Sequence, residues 1–147
     1  MFAVNVQTPF TLVRELLVPL KSAAEPGDPA RVVNIGSIAG VKVERLSAYS
    51  YAASKAALHH LSRELAADLA GDGITVNAVI PGYFPSNMTA HIHADAERLN
   101  LLEQRVPLGR MGSAEDIGGL IAFLASRAGA YITGALIPID GGLSGCS

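Results

Sequence analysis

The sequence predicts an α/β fold with buried strands connected by a helix. Two apolar runs rich in β-branched residues, 32–35 and 74–80, are typical of buried strands. Glycine follows the first run, and proline with glycine follows the second. Between them lies an alanine-rich segment from Tyr51 onward with leucines three or four residues apart, which predicts an amphipathic helix.

The first 21 residues predict a helix, because their apolar residues recur at helical spacing. These residues are Phe10, Val13, Leu16, Leu17 and Leu20. Thr8-Pro9 is typical of an N-cap followed by proline at the first helical position, although the helix could also begin earlier and bend there. A polar turn with two prolines follows at 22–29.

The boundaries of the remaining helices and strands are predicted from glycine-containing turns and from a helix-capping sequence. Gly71 is expected as the C′ residue of the central helix, within a tight turn at 71–73. The mixed segment 86–110 contains a short helical pattern of leucines. Ser113-Ala114-Glu115-Asp116 resembles a capping box and precedes apolar residues at helical spacing. A last strand is expected at 131–139, closed by Asp140-Gly141-Gly142.

Composition excludes several classes of function. The chain has 147 residues, 50% of them hydrophobic and 16% charged, which fits one well-buried domain. A net charge of −2 without a basic run disfavours nucleic acid as a partner. Cys146 is the only cysteine, so no intrachain disulfide forms and a reducing compartment is expected. Without a membrane-length apolar run or a basic leader, we expect a cytoplasmic protein that does not bind membranes.

Three residues form a candidate acid–base site. Ser37 follows the first strand, at the end of the strand where open α/β sheets bind ligands. Tyr51 and Lys55 are four residues apart on the predicted helix and therefore share one face. A cation about 4 Å from a phenol favours the ionised form by roughly 4 kcal/mol at an effective dielectric near 20. Tyr51 is then suited to proton transfer, with Ser37 orienting the reacting oxygen.

The pattern also has a structural interpretation. A tyrosine and a lysine four residues apart are common on helices without any catalytic role, and it is the combination with Ser37 that favours catalysis. Tyr49 is an internal comparison, because its partner four residues on is Ala53. His91 and His93 lack a third convergent ligand, so we expect surface or lid residues rather than a metal site.

At these residues the chain resembles the short-chain dehydrogenase/reductase family. The family carries Asn-x-x-Ser after its fifth strand and Tyr-x-x-x-Lys on the next helix, which match Asn34 to Ser37 and Tyr51 to Lys55. The resemblance implies the C-terminal part of a doubly wound parallel-sheet (Rossmann-type) domain, with strands five to seven and flanking helices. It covers residues 1–147 as a single partial domain.

The resemblance also implies roles for further residues. Asn5, in Asn-Val-x-x-x-Phe, would complete a catalytic tetrad by holding a proton-relay water. Lys55 and Tyr51 would also contact the nicotinamide ribose. Further cofactor contacts would come from the segment after the second strand, at Pro81, Gly82, Phe84 and Ser86. The implied cofactor is NAD(P)(H), with NADPH favoured, and no metal. A homodimer or homotetramer is implied for the intact protein.

The substrate implied is a carbonyl compound, either a small molecule or an acyl thioester. The chain is similar to 3-oxoacyl-carrier-protein reductases, including the branch associated with rhamnolipid biosynthesis, through residues 81–89 and 56–59. The phosphate-binding glycine loop of such enzymes does not precede Asn5. The strand at Val32 is therefore expected to have an open edge. The alternative is a catalytically inactive, short family member that acts as an oligomerisation or interaction module.

Overall fold

A three-stranded parallel sheet is the framework of the chain. The computed structural model describes residues 1–44, 47–86 and 95–146. The sheet order is β1-β2-β3, with β1 at Ala30–Ile35, β2 at Ile74–Pro81 and β3 at Leu136–Ile139. Both pairs are parallel, as predicted. The last strand is shorter than the predicted 131–139, because the backbone pairs with β2 only from Leu136.

The N-terminal helix begins earlier than Thr8. A π-helical turn, Ala3–Gln7, leads directly into α1 (Thr8–Glu15), and α2 (Leu17–Ala23) follows after a bend. Thr8 has helical backbone angles, and its hydroxyl donates to the Ala3 carbonyl at 3.0 Å. The predicted N-cap at Thr8 is therefore wrong, and the earlier start is confirmed. Pro9 is the second residue of α1 and directly follows the π-helical turn.

Helix α3 (Tyr49–Leu69) connects β1 to β2 and begins two residues before the predicted start. It continues into a 3₁₀ turn, Ala70–Asp72. The left-handed residue that closes this turn is Gly73, with φ +71°, so the prediction of Gly71 as the C′ residue is wrong. The tighter 3₁₀ turn delays the chain reversal by two residues.

Two further α-helices in the described ranges are α4 (Ala96–Glu103) and α5 (Ala114–Ala125), and a 3₁₀ turn, Arg127–Gly129, follows α5. Asp95 caps α4 through two backbone N–H groups. The predicted capping box of α5 is confirmed, with Ser113 and Asp116 bonding reciprocally. Within the described ranges, no helix is long and apolar enough to cross a membrane.

The core lies on both faces of β2, whose residues 74–80 are all buried. On one side, α3 packs on the sheet through a cluster that includes Leu65, Ile74 and Val76. A second cluster beyond the carboxyl end of β1 joins Ile38 and Ile80. This arrangement fixes α3 against the strand ends.

One edge of the sheet is open in the part of the chain that the structure describes. β1 pairs with β2 only, as expected from the sequence. The side chain of Ile35 at the end of β1 is 45% exposed. An unpaired apolar strand edge is a template for association with another strand.

Candidate active site

The carboxyl ends of β1 and β2 open into a cleft of about 980 Å³. Ser37 and Tyr51 both line this cleft, one from the turn after β1 and the other from the first turns of α3. Ser37 caps the 3₁₀ turn Ile38–Gly40, and its hydroxyl accepts the Ala39 N–H at 3.2 Å. The two residues that the sequence placed in one site therefore face the same space.

Lys55 lies one helical turn after Tyr51 and is held by the backbone of β1. Its Nζ donates to the Ile35 carbonyl at 2.7 Å and lies 5.8 Å from the centroid of the Tyr51 ring. Burial lowers the pKa of Lys55 from its ordinary value. The cation is thus anchored between the end of β1 and the Tyr51 ring.

Three tyrosines lie around the cleft, and two of them are unsuited to proton transfer. Tyr49 is 82% exposed on the rim. The hydroxyl of Tyr83 donates to the Glu44 carboxylate. Burial, together with this carboxylate, raises the pKa of Tyr83 to about 12, so its proton is tightly held. Tyr51 is the tyrosine with a lysine beside it.

Asn5 contacts helix α3 through a residue that the sequence did not single out. Its Nδ2 donates to the Ser54 hydroxyl at 2.9 Å, and that hydroxyl donates to the Tyr51 carbonyl at 2.8 Å. Ser54 is fully buried. Asn5 belongs to the π-helical turn, a type of distortion that is frequent at functional sites.

The expected cofactor-contact residues follow β2. Pro81 is the last residue of that strand, and Gly82 donates its N–H to the Ile139 carbonyl at 3.0 Å. A Cβ atom at Gly82 would lie 2.8 Å from the backbone of Asp140, so only glycine fits. Gly82, Phe84 and Ser86 line the same cleft as Ser37 and Tyr51.

A charged cluster joins three loops at this end of the sheet. The Glu44 side chain is only 4% exposed, and the guanidinium of Arg105 lies 3.7 Å from its Oε2. Arg105 also lies 5.7 Å from the centroid of the Tyr83 ring, on which it can stack. Among described residues, the second oxygen of Glu44, Oε1, is buried without a partner. The cluster links the turn after β1, the loop after β2 and the chain after α4.

His59 is another buried polar residue that spacing alone did not reveal. It is 4% exposed, and its Nε2 accepts the backbone N–H of Ser37 at 3.2 Å. Its position one turn beyond Lys55 places it beneath the turn that carries Ser37. The sequence signal that could have revealed it is a histidine on the face of the predicted helix that packs against the sheet.

Some sequence predictions lie outside the described residues. Residues 87–94, with His91, His93 and part of the 81–89 segment, belong to this group. In the described ranges, no group of three or more His, Cys, Asp and Glu side chains is arranged to hold a metal. The expectation of lid or surface histidines without a metal stays a prediction.

Comparison with known proteins identifies the class. Residues 1–144 match the family model adh_short_C2, described as enoyl-(acyl carrier protein) reductase. The chain belongs to this family of short-chain dehydrogenases/reductases. The family and the C-terminal part of its fold, both predicted from the sequence, are confirmed.

Individual relatives are more specific. The chain is 49% identical over 138 residues to the rhamnolipids biosynthesis 3-oxoacyl-[acyl-carrier-protein] reductase of Pseudomonas aeruginosa, covering 94% of this chain and 54% of that protein. With FabG, the 3-oxoacyl-[acyl-carrier-protein] reductase of the same organism, it is 44% identical over 113 residues, covering 77% and 44%. The solved Pseudomonas aeruginosa RhlG/NADP active-site complex superposes with a TM-score of 0.93 at 47% identity, covering 97% of this chain and 56% of that one. The chain spans about half the length of the curated relatives it matches.

Proposed function

We propose that the protein is an NAD(P)-dependent oxidoreductase that interconverts a carbonyl and a secondary alcohol, with 3-oxoacyl thioesters as substrates. The observation that carries the proposal is the placement of Ser37 and Tyr51 in one cleft, with the Lys55 cation behind the phenol. The similarity to two 3-oxoacyl-[acyl-carrier-protein] reductases supports the substrate class.

The described residues fit the nicotinamide half of the cofactor. Lys55 offers an ammonium for the ribose hydroxyls beside Tyr51, and Gly82, Phe84 and Ser86 give the cleft a wall at the end of β2 beyond Pro81. NADP(H) is favoured, since solved neighbours are complexes with NADP. The printed sequence contains no Gly-x-x-x-Gly-x-Gly motif, the phosphate-binding loop expected for such a cofactor. The contacts proposed here therefore concern only the nicotinamide half of the cofactor. When bound, the cofactor supplies or accepts the hydride.

In the proposed mechanism, Tyr51 gives its proton to the carbonyl oxygen or takes it from the alcohol. Ser37 donates a hydrogen bond to the same oxygen and holds it in place. The Lys55 cation, 5.8 Å from the centroid of the Tyr51 ring, stabilises negative charge that develops on the phenol during proton transfer. Asn5, fixed by Ser54, supports the path by which Tyr51 regains a proton.

The shape of the cleft supports a substrate with an apolar tail. Its rim includes Val41, Val43 and Tyr49, all exposed, and Phe84 lies deeper. Ala52 adds little bulk beside Tyr51. An acyl chain can bury these apolar surfaces, whereas a polyol would leave hydroxyls unpaired against them.

A homodimer or homotetramer is part of the proposal. Exposed large apolar side chains on the N-terminal helices support it. They are Phe10, Leu12, Leu16 and Val18. The same exposed face and the open edge of β1 favour the second candidate function, an inactive family member that acts as an oligomerisation or interaction module. The cytoplasmic location stays a prediction.

A reductase assay separates the two candidates. The purified protein is mixed with NADPH and a 3-oxoacyl thioester, and NADPH oxidation is compared with formation of the 3-hydroxyacyl product. We expect one product molecule per NADPH consumed, with a preference for long over short acyl chains. If an intact, oligomeric protein consumes no NADPH with any 3-oxoacyl thioester, the module remains and the reductase is excluded.

A further inference from the structure

We propose that His59 is a positioning residue for Ser37, holding the turn 37–40 so that the serine hydroxyl faces the cleft. The inference rests on the proposed function and assigns to it a residue outside the Ser-Tyr-Lys-Asn set. It is carried by hydrogen bonding and packing around one buried imidazole.

The imidazole contacts both ends of the turn. At one end its Nε2 accepts the Ser37 N–H at 3.2 Å, and at the other end the ring packs against the backbone of Gly40. The turn is closed on itself by the Gly40 N–H, which donates to the Ser37 carbonyl at 3.0 Å. His59 therefore ties the whole turn to α3, the helix that carries Tyr51.

Two glycines beside Ser37 leave the space that the His59 imidazole occupies. A Cβ atom at Gly36 would lie 2.3 Å from Nε2 of His59, and one at Gly40 would lie 2.7 Å from its Cε1. Real Cβ atoms do not approach other atoms so closely. The two glycines beside Ser37 thus let the imidazole reach the backbone of the turn.

The ring must be neutral to accept at Nε2, with its proton on Nδ1. Burial lowers the pKa of His59, and the positive charges of Lys55 and Arg63 on the same helix lower it further. The Gly40 backbone acts in the opposite direction and is outweighed. The neutral ring is thus the form that fits between these cations and the turn.

Loss of this acceptor acts on Ser37 directly. The Ser37 N–H is buried, so without His59 it has to find another partner and the turn shifts. The Ser37 hydroxyl moves with the turn, since it accepts from Ala39 within it. A displacement of about 1 Å at a reacting group can cost as much as about 100-fold in rate.

Kinetics of matched variants test the proposal in the purified protein with NADPH and a 3-oxoacyl thioester. His59→Leu keeps the volume and removes the acceptor, and we expect kcat to fall by about 10-fold to 100-fold with little change in the KM for NADPH. His59→Gln can place its amide oxygen at the Nε2 position and should recover most of kcat. Should His59→Leu not fold, His59→Asn replaces it, because its amide can reach Gly40 but not Ser37. The control is His60→Leu, on the exposed side of α3.

A double-mutant cycle separates positioning from general destabilisation. In a Ser37→Ala background, the change at His59 should have little further effect on kcat, because the group it positions is gone. If His59→Leu costs as much in that background as in the wild type, or if His59→Gln is no better than His59→Leu, the proposal is overturned.

A second readout does not depend on activity. Nitrogen NMR of the labelled histidines should show His59 neutral at pH 7, with the proton on Nδ1. A proton on Nε2 would overturn the proposal even in an active enzyme. If the wild type reduces no carbonyl, the proposed function fails, while the NMR result still decides whether His59 accepts from Ser37.

Discussion

The ammonium of Lys55 is held by the backbone of the neighbouring strand. Its bond to the Ile35 carbonyl fixes the cation at 5.8 Å from the Tyr51 ring centroid, rather than leaving it free in the cleft. The cation therefore acts on the phenol from a fixed position, and the burial that lowers the pKa of Lys55 also strengthens its field.

Removing this charge should slow the chemical step. In Lys55→Met, we expect kcat to fall, because the phenol loses the nearby cation that stabilises charge developing on its oxygen. The measurement is kcat with NADPH saturating, together with the KM for NADPH. A raised KM with an unchanged kcat would leave Lys55 only a role in binding.

Tyr83 gives a prediction about stability at high pH. Its pKa is raised to about 12 in the folded protein, against 10.0 for a free phenol. The folded state thus favours the neutral phenol, so this contribution to stability is complete below pH 10 and is lost as the pH rises toward 12. Denaturant unfolding should show a steeper loss over this range in the wild type than in Tyr83→Phe. Equal losses in the two proteins would show that Tyr83 is not held as described.

For individual residues, the sequence predicts contacts within one helix or strand better than contacts between residues that are distant in the chain. Tyr51 and Lys55 could be paired from helical periodicity alone, and Ser37 from the strand that ends before it. Ser54 and His59 depend on what faces α3 from the N-terminal turn and from the turn after β1. Those contacts join residues 49 and 22 positions apart and leave no local pattern.

The ends of the helices follow local hydrogen bonding, and α5 shows this most clearly. Ser113 and Asp116 form a reciprocal capping box, and the two oxygens of Asp116 also bind the Arg110 guanidinium at 2.7 and 3.0 Å. Hydrogen bonds from Arg110 and Ser113 hold the pKa of Asp116 well below its usual range. The capping box was predicted because Ser113 and Asp116 are three residues apart, whereas the ion pair with Arg110 was not predicted.

Replacing the cap tests its contribution. Ser113→Ala should lower the free energy of unfolding by about 1 kcal/mol, since it removes the side-chain acceptor of the Asp116 N–H. The matched control is Ser50→Ala, an exposed position in the first turn of α3 where a change within about 0.5 kcal/mol is expected. The measurement is urea unfolding of both variants, and equal midpoints would contradict the assigned cap.

Other element boundaries could not be predicted, because the competing turn types differ by one or two hydrogen bonds. Thr8-Pro9 matches a helix start, yet the π-helical turn before it extends the helix to Ala3. Gly71 matches a C′ residue, yet the 3₁₀ turn moves the left-handed position to Gly73. The helices and strands themselves were predicted from their periodicity.

At the scale of the whole molecule, the 147 residues supply only one half of a dinucleotide-binding site, which limits how tightly they can bind the cofactor. The nicotinamide end has Tyr51, Lys55 and Gly82, whereas the pyrophosphate normally lies on a glycine-rich turn and helix that these residues do not contain. The open edge of β1 adds a surface for self-association.

A polypeptide of these 147 residues alone, unlike the intact protein used in the activity assays, should therefore bind NADPH weakly and self-associate. Calorimetric titration, with light scattering on the same sample, measures both properties. Micromolar binding by a monodisperse monomer would show that the pyrophosphate finds other partners in this chain.

The most direct test of the central claim compares two tyrosines on one helix. Tyr51→Phe should lower kcat for the 3-oxoacyl thioester by about 100-fold to 10,000-fold, because it removes the general acid. Tyr49→Phe, two residues away and 82% exposed, should keep near-normal turnover. Equal activity of the two variants would contradict the assignment of Tyr51 as the residue that transfers the proton.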